Sequence, residues 1–480
     1  MPELNRRHLL GLLGLGGAAV QLGACKPEPE PTPAPTRERE PEPSARWSGL
    51  GTPAPERFPL SVSSGDPTEQ AAICWTRYAG DAALELHHAL WTGEGWQPQA
   101  PTPTTPGEGG FTHAELVDLP ADTWVSYQFV DAQGGGSPVG LLRTAPTHDD
   151  PATVQIGITS CLHQRHDAFP TLTHARARGP LDLFLFLGDT AYFDGRDTRE
   201  LFRELYAEQL VRPGFSDVLP HTATVFTWDD HEFTNNLDPV TIDPDLLHTA
   251  REAWFEHLPV RRDPSEPTRI WRSLRHGKTV ELFVLDARTE RDAATGRYLS
   301  RAQLDWLKQG LASSDAVWKL IANSVPITSF DNPVWDVPLA LNDRWEAYPA
   351  QRDELLSFLE AEQLTGVLFL SGDVHCGMIA RIDPSGPRQR FLDLICGPGG
   401  STRNVSAPFL MGQQIPWAVA EYNAARLELR ADGLAIATFL GESDEVLATI
   451  TMDDHGTILE LLALDLTTGD TVDLTPAPIG

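Results

Sequence analysis

Positive charge is scarce in this sequence. Lysine occurs only at Lys26, Lys278, Lys308 and Lys319, and lysine and arginine together number 37 against 67 aspartates and glutamates, a formal balance of −30. Such a chain repels nucleic acid and anionic membrane surfaces, which argues against nucleic-acid binding. Cysteine is sparse as well. Cys25, Cys74, Cys161, Cys376 and Cys396 are spread out with no CxxC pair, which excludes a zinc ribbon. Cys74, in the alternating run AAICWTRY, reads as a buried small hydrophobe, while sequence leaves a Cys376–Cys396 bridge open. The apolar run near the amino terminus, LLGLLGLGGAAV, is too short and too rich in glycine for a transmembrane helix.

What is present is length and order. With 480 residues, 41% of them hydrophobic, the chain can bury a large core and divide into two or three domains. Arg6 and Arg7 precede the apolar run, which closes on LGAC at Cys25. Residues 1–25 thus resemble a twin-arginine lipoprotein signal, predicting export by the twin-arginine machinery and acylation of Cys25. A periplasmic or cell-surface location is expected, with membrane contact only through the lipid anchor. Residues 26–54 begin KPEPEPTPAPTREREPEPSA, where alternating proline and charge predict an extended tether.

Residues 55–147 read as a small all-β domain. Short β-type runs (LSVSSGDP, AAICWTRY, LELHHALW, FTHAELVDL, WVSYQFVDA, VGLLRTAP) are separated by turn signals such as DAQGGGSP, predicting an antiparallel sandwich of the immunoglobulin or fibronectin kind. It holds no clustered ligand-type residues and is expected to serve packing or recognition. Residues 150–480 change texture, with apolar strands alternating with amphipathic helices. In SRAQLDWLKQGL, Ser300 and Gln303 have capping-box spacing and Leu304, Leu307 and Leu311 recur at helical period. This is an α/β (α+β) pattern of largely buried strands covered by helices. The late runs ARLELRA, LAIATFLG and GTILELLALDL predict antiparallel strands completing a second sheet.

The residues just past each strand are the most informative. TVQIGITS runs into Cys161 and His163, LDLFLFLG into Asp189 and Tyr192, and ATVFTW into Asp229, Asp230, His231 and Glu232. VELFVL runs into Asp286 and Arg288, VWKLIA into Asn323, and TGVLFLSG into Asp373 and His375. One acidic residue after a strand is commonly a turn former or helix cap. Six polar endings predict a shared site outside the carboxyl ends of the strands. Asp189, Asp230 and Asp373 offer hard oxygens suited to calcium, magnesium or manganese, whereas Cys161, Tyr192 and His375 suit a more polarising ion, ferric iron foremost. Together they predict a mixed two-metal centre, bridged by Asp189 and able to activate water against a phosphoryl group.

At these residues the chain resembles the PhoD-type alkaline phosphatases, calcineurin-like metallophosphoesterases related to purple acid phosphatases. FPLSVSSGDPTEQAAICWTR is similar to the start of the family's amino-terminal sandwich. SC at 160 to 161, GDTAY, WDDHE, LDARTER, RWEAYPAQRDELLSFL and SGDVH are similar to its catalytic domain, in order. The resemblance implies a two-sheet sandwich with flanking helices. It implies an Fe3+ site of Cys161, Asp189, Tyr192 and His375 beside a Ca2+ site of Asp189, Asp230 and Asp373, with manganese, magnesium or zinc as substitutes. It also implies His231 as proton donor or transition-state stabiliser. Substrates would be phosphomonoesters and, in some members, phosphodiesters, as small molecules, phospholipids or polymers, with a phosphodiesterase or phospholipase D-like enzyme as the alternative.

Other positions carry two readings. His163 is an outer donor, a further ligand or a loop residue. Arg288 offers a forked guanidinium to a phosphate oxygen or a partner to an acidic neighbour. Asn323 faces the metals or caps a turn, Asp229 and Glu232 orient their neighbours, and Cys376 packs. The glycine-rich stretch DLICGPGGSTRNVSAP is a turn or a loop near the pocket. A lipoprotein that only binds metal or a phosphorylated ligand is the competing functional class, and retention of His231 with the full ligand set favours catalysis.

Overall fold

The computed structural model describes residues 35–330 and 342–477. The predicted signal segment 1–25, with Cys25, and the first part of the predicted tether lie outside the described residues.

Strand Leu183–Leu187 sets the layering. Its residues LFLFL are all buried, and successive side chains point to opposite faces. Leu183, Leu185 and Leu187 enter a core shared with Leu282, Leu320, Leu368 and Leu370 of a second sheet. Phe184 and Phe186 instead face a helical layer containing Phe202, Leu205, Phe215 and Trp254. On the far side, helices Arg301–Ser313 and Pro349–Ala361 cover the second sheet, with Leu304, Leu307, Leu311, Leu355 and Leu359 against Phe283, Ile321 and Phe369. The layers run helix, sheet, sheet, helix, as the α/β two-sheet expectation requires.

In the first sheet, Val154–Thr159, Leu183–Leu187 and Thr224–Thr227 are parallel neighbours. In the second, Val280–Val284, Trp318–Ala322, Val367–Ser371 and Leu392–Ile395 are parallel in that order. Parallel pairing sends the carboxyl ends of neighbouring strands to the same edge. Thr227 Oγ1 donates to Leu285 O at 2.7 Å and Trp228 Nε1 to Asp286 Oδ1 at 2.9 Å, pinning the two sheets together at that edge.

Three features differ from the sequence reading, and one, the small β-domain, adds to it. The carboxyl-terminal strands Ala424–Leu429, Leu434–Leu440, Val446–Asp453 and Ile458–Leu464 extend the first sheet rather than completing the second, because Ala424–Leu429 pairs antiparallel with Val154–Thr159. The small β-domain forms the expected antiparallel two-sheet sandwich, and one of its sheets is continuous with the first sheet. Its strands Val62–Gly65, Ala72–Arg77 and Phe111–Leu116 continue the first sheet through a Thr224–Gly65 pair, while Leu84–Trp91 and Trp124–Asp131 form the opposing sheet. Gly65 is required there, since a Cβ would lie 2.9 Å from Thr224 O and overlap Pro259 O. The tether is docked from residue 35. Arg39 is nearly buried between Asp122 and Asp182, Arg37 Nε donates to Asp150 at 2.8 Å, and Trp47 is buried. Finally, Ser300 caps its helix by accepting from Gln303 N at 3.2 Å, but the Gln303 side chain turns to the Asp286 backbone instead of closing the box. No helix among the described residues is long and apolar enough to cross a membrane.

Candidate metal centre

Three strand ends of the first sheet and one of the second converge. Cys161 Sγ and one ligand atom each from Asp189 and His375 lie within 4.8 Å of one another. Asp189, Asp230 and His231 form a second such group, and Asp229, Asp230 and Asp373 a third. Asp189 therefore belongs to both the thiolate side and the carboxylate side, where a bridging ligand must be. Tyr192 joins the thiolate side, its hydroxyl 3.0 Å from His375 Nε2. All six ligand residues predicted from sequence fall in one cluster.

The backbone carrying them is strained and tightly held. Cys161, Asp189, Asp373 and His375 have φ of 58°, 53°, 63° and 57°, left-handed values that cost a side-chain-bearing residue roughly 1–2 kcal/mol each. Neighbouring groups fix these turns. Leu162 N donates to Asp189 O at 2.8 Å, linking the first two loops. Glu232 accepts from the N–H groups of Asp189, Thr190 and Asp229 at 3.0, 2.6 and 2.8 Å. Asn404 N donates to His375 O at 2.8 Å and its amide to Val374 O at 3.0 Å. The glycine-rich loop thus lies on the site, and Gly400 N also donates to Cys161 O at 3.1 Å.

The site is a concentration of buried acids. Burial pushes the Asp189 and Asp373 carboxyls well up, and burial, then the Asp189 charge, does the same to the Cys161 thiol and the Tyr192 phenol. Glu232 is pushed up to about 7 by burial, against its three N–H donors. Burial lowers His375 to about 4. Asp230 Oδ1 is buried without a hydrogen-bond partner, Arg288 Nη2 standing 3.8 Å away. Uncompensated carboxylates and an orphaned oxygen are what bound cations would satisfy, holding the acids ionised and the imidazole neutral. The donor set fits two ions: sulfur, phenol and imidazole on one side, carboxylates on the other.

Arg288 resolves towards its acidic reading. It is fully buried, donating to Asp229 at 3.0 Å and Asp373 at 2.9 Å and pairing with Asp343. It orients carboxylates, and its guanidinium is not left to meet a phosphate. Asn323 is not in the cluster: its amide closes a turn on Val325 O and accepts from Trp345 Nε1 at 3.4 Å. Asp286 is likewise spent on Trp228, Arg288 N and Thr289 N. His163 lies beside the cluster, stacked on Tyr192 at 4.5 Å, with Nδ1 accepting from Arg165 N. Cys376 is a free thiol packed with Met378 and Ile395, and Cys396 is free as well.

His231 stands over Tyr192, ring centroids 3.9 Å apart. Its Nδ1 is held 2.6 Å from Asp194 Oδ2, which leaves Nε2 facing away from that carboxylate. Burial disfavours its charged form, yet Asp189, Asp194 and Asp230 outweigh this and raise it to about 10. Asp194 escapes the sequence reading, although it sits two places after Tyr192 in the same loop. Asp343 carries no signal at all, since it acts only through Arg288 and Arg291.

Comparison with known proteins gives the family and the fold. The sequence matches the PhoD-like phosphatase family over residues 156–414 and the PhoD-like phosphatase N-terminal domain over residues 45–146. It is 25% identical to alkaline phosphatase D of Bacillus subtilis (strain 168) over 388 residues, which is 68% of this chain and 65% of that protein. A solved structure of PhoD superposes with a TM-score of 0.75 at 21% identity, covering 88% of this chain and 94% of that one. A purple acid phosphatase from yellow lupin (Lupinus luteus) seeds gives 0.61 at 13% identity, covering 82% and 73%. Matched by the family model over more than half of its length, the chain belongs to the PhoD-like phosphatases.

Proposed function

We propose that this protein hydrolyses phosphate esters, phosphomonoesters foremost and phosphodiesters as a second class, at a two-metal centre. The observation that carries the reading is the shared position of Asp189, common to the Cys161/His375 group and the Asp230/His231 group. Cys161, Tyr192 and His375 would hold ferric iron with Asp189, while Asp230 and Asp373 would complete a calcium-type site. When bound, the pair supplies Lewis acidity towards a phosphoryl oxygen and lowers the pKa of a water. Asp194 accepts the Nδ1–H hydrogen bond of His231 and favours the imidazolium, so that Nε2 can give its proton to the leaving oxygen. Arg288 holds Asp229 and Asp373 in place, and Glu232 keeps the Asp189 loop from relaxing.

Export through the twin-arginine machinery, with Cys25 acylated at the cell surface or in the periplasm, belongs to the same proposal. Mass spectrometry of the mature amino terminus tests it.

The decisive experiment compares turnover of p-nitrophenyl phosphate by the metal-loaded protein, the chelated protein and His231→Ala. Activity is expected only in the first, together with a visible charge-transfer band from tyrosinate on ferric iron and one iron per chain by elemental analysis. A loaded wild type as inert as His231→Ala would favour the binding-protein class instead.

A further inference from the structure

Acids outnumber bases so heavily here that an arginine normally finds a partner. Arg199 and Arg203 share Glu108 and Glu256, Arg262 meets Glu252, and Arg388 meets Asp353 and Glu360. Among the described residues, the exposed Arg165 stands apart: its guanidinium makes no hydrogen bond, ion pair or aromatic contact. Its position is not arbitrary. Arg165 N donates to His163 Nδ1 at 3.0 Å, and His163 stacks on Tyr192.

A second guanidinium approaches the same tyrosine from another loop. Arg196 Nη1 donates to Tyr192 O at 3.2 Å and has no carboxylate partner among the described residues. Gln164 ties the two loops together, accepting from Tyr192 N at 3.1 Å and donating to Tyr192 O at 2.9 Å. Burial falls from the ligands Cys161 and Tyr192 to the exposed Arg165 and Gly195, so these segments form the rim of the centre. The acids on the same segments are accounted for in part. Asp194 is engaged by His231 and Asn235 N, Asp167 lies 3.8 Å from Arg212, and Asp197 is exposed. The Arg196 loop also carries Asp194, the residue that orients His231, so with His231 as the proposed proton donor it borders the side on which the leaving group would depart.

We propose that Arg165, with Arg196 beside it, contacts a second negative charge on the leaving group, so that phosphate esters of anionic alcohols are preferred over those of neutral ones. This rests on the phosphoesterase reading. A free guanidinium gives an acidic protein a local attraction for an anionic substrate that its net field repels, and its fork suits carboxylate or phosphate oxygens.

The test uses the metal-loaded full chain with phenyl phosphate, 3-carboxyphenyl phosphate and 3-(aminomethyl)phenyl phosphate. The wild type is compared with Arg165→Gln, Arg165→Glu and Arg301→Gln. Arg301 is an exposed arginine on the helix Arg301–Ser313. Because Arg165 is exposed and unpartnered, its replacement does not threaten folding. The ratio of kcat/KM for the carboxylated over the plain ester is read within each variant, which cancels the intrinsic chemistry. Arg165→Gln is expected to lower this ratio about three- to fivefold, through KM, as an exposed ion pair allows. Arg165→Glu should lower it further and favour the aminomethyl ester, Arg301→Gln should keep the wild-type ratio, and salt should shrink the wild-type preference. An active enzyme whose ratio is the same in all four proteins overturns this inference alone. A loaded wild type inert towards all three esters overturns the phosphoesterase reading, and this inference with it.

Discussion

Replacing Asp194 by Asn keeps the shape of the His231 contact and removes its charge. The two groups lie 2.6 Å apart, with side chains 14% and 39% exposed. In a medium of effective dielectric about 20, charges some 4 Å apart interact by about 4 kcal/mol. Exposure of the carboxylate screens much of this, leaving on the order of 1.4 kcal/mol, or about one pH unit. Of the three acids that raise His231, Asp189 and Asp230 lie in the ligand groups, where bound cations would cancel their effect. Asp194 is outside those groups, so its share survives metal loading. The sign is set by the role. A histidine that donates a proton is active below its pKa, and activity falls as pH rises through it. Lowering that pKa moves the basic limb of the kcat/KM profile down by about one unit. The assay is the pH–rate profile of loaded wild type and Asp194→Asn on an alkyl phosphate, whose poor leaving group needs the proton. p-Nitrophenyl phosphate, with a good leaving group, should be less affected. A basic limb that stays in place or moves up would refute the assignment of His231 as acid and of Asp194 as its holder.

Three further outcomes are expected from the same geometry. Cys161→Ser should lose iron and the visible band while Asp189, Asp230 and Asp373 still retain a hard cation, as read by elemental analysis; iron retained with full colour would contradict the thiolate assignment. Arg288→Met leaves Asp229, Asp343 and Asp373 without their shared cation, a loss of about 3–5 kcal/mol for a broken buried pair. In urea unfolding that loss should be larger with chelator than with metals bound, and equal losses would count against shared neutralisation. Gly188→Ala combines a φ of 90° with overlap of the new Cβ on Asp229 Cβ, and should cost about 3 kcal/mol. A cost under about 1 kcal/mol would mean that the loop relaxes more freely than its hydrogen bonds allow.

How much of this is legible in the sequence depends on the range of the physics involved. The alternation in LFLFLG is local, and it specifies a strand buried on both faces that delivers Asp189 and Tyr192. The order of motifs points to the six candidate ligands for the same reason, since each follows closely on one of four strand ends. Sheet membership is not local. Leu427 opposite Ile156 and Gly65 opposite Thr224 join segments far apart in the chain whose apolar patterns would suit either sheet. Composition misleads about the tether. Proline and charge keep residues 35–54 from building a core, but Arg37 and Arg39 find carboxylates already placed by the folded body.

The strand ends themselves divide by a criterion that composition does not contain. Asp286 and Asn323 look like Asp189 and Asp373 in sequence, each a polar residue past the end of an apolar strand. The first two occupy ordinary backbone and spend their oxygens on tryptophan N–H groups and turn amides. Asp189 and Asp373 sit in left-handed backbone, and the Asp189 turn is held open by Glu232, which accepts from three N–H groups. A side chain whose hydrogen bonds stabilise its own turn has few lone pairs left for a cation. One whose turn is stabilised by a neighbour spends fewer of them on its own loop, the Asp189 and Asp373 carboxylates accepting instead from His231 N and Arg288 of other loops. Glu232 and Asn404 therefore matter to the centre as much as the residues they hold, because they let strained loops persist without drawing on the Asp189 and His375 side chains to close their own turns.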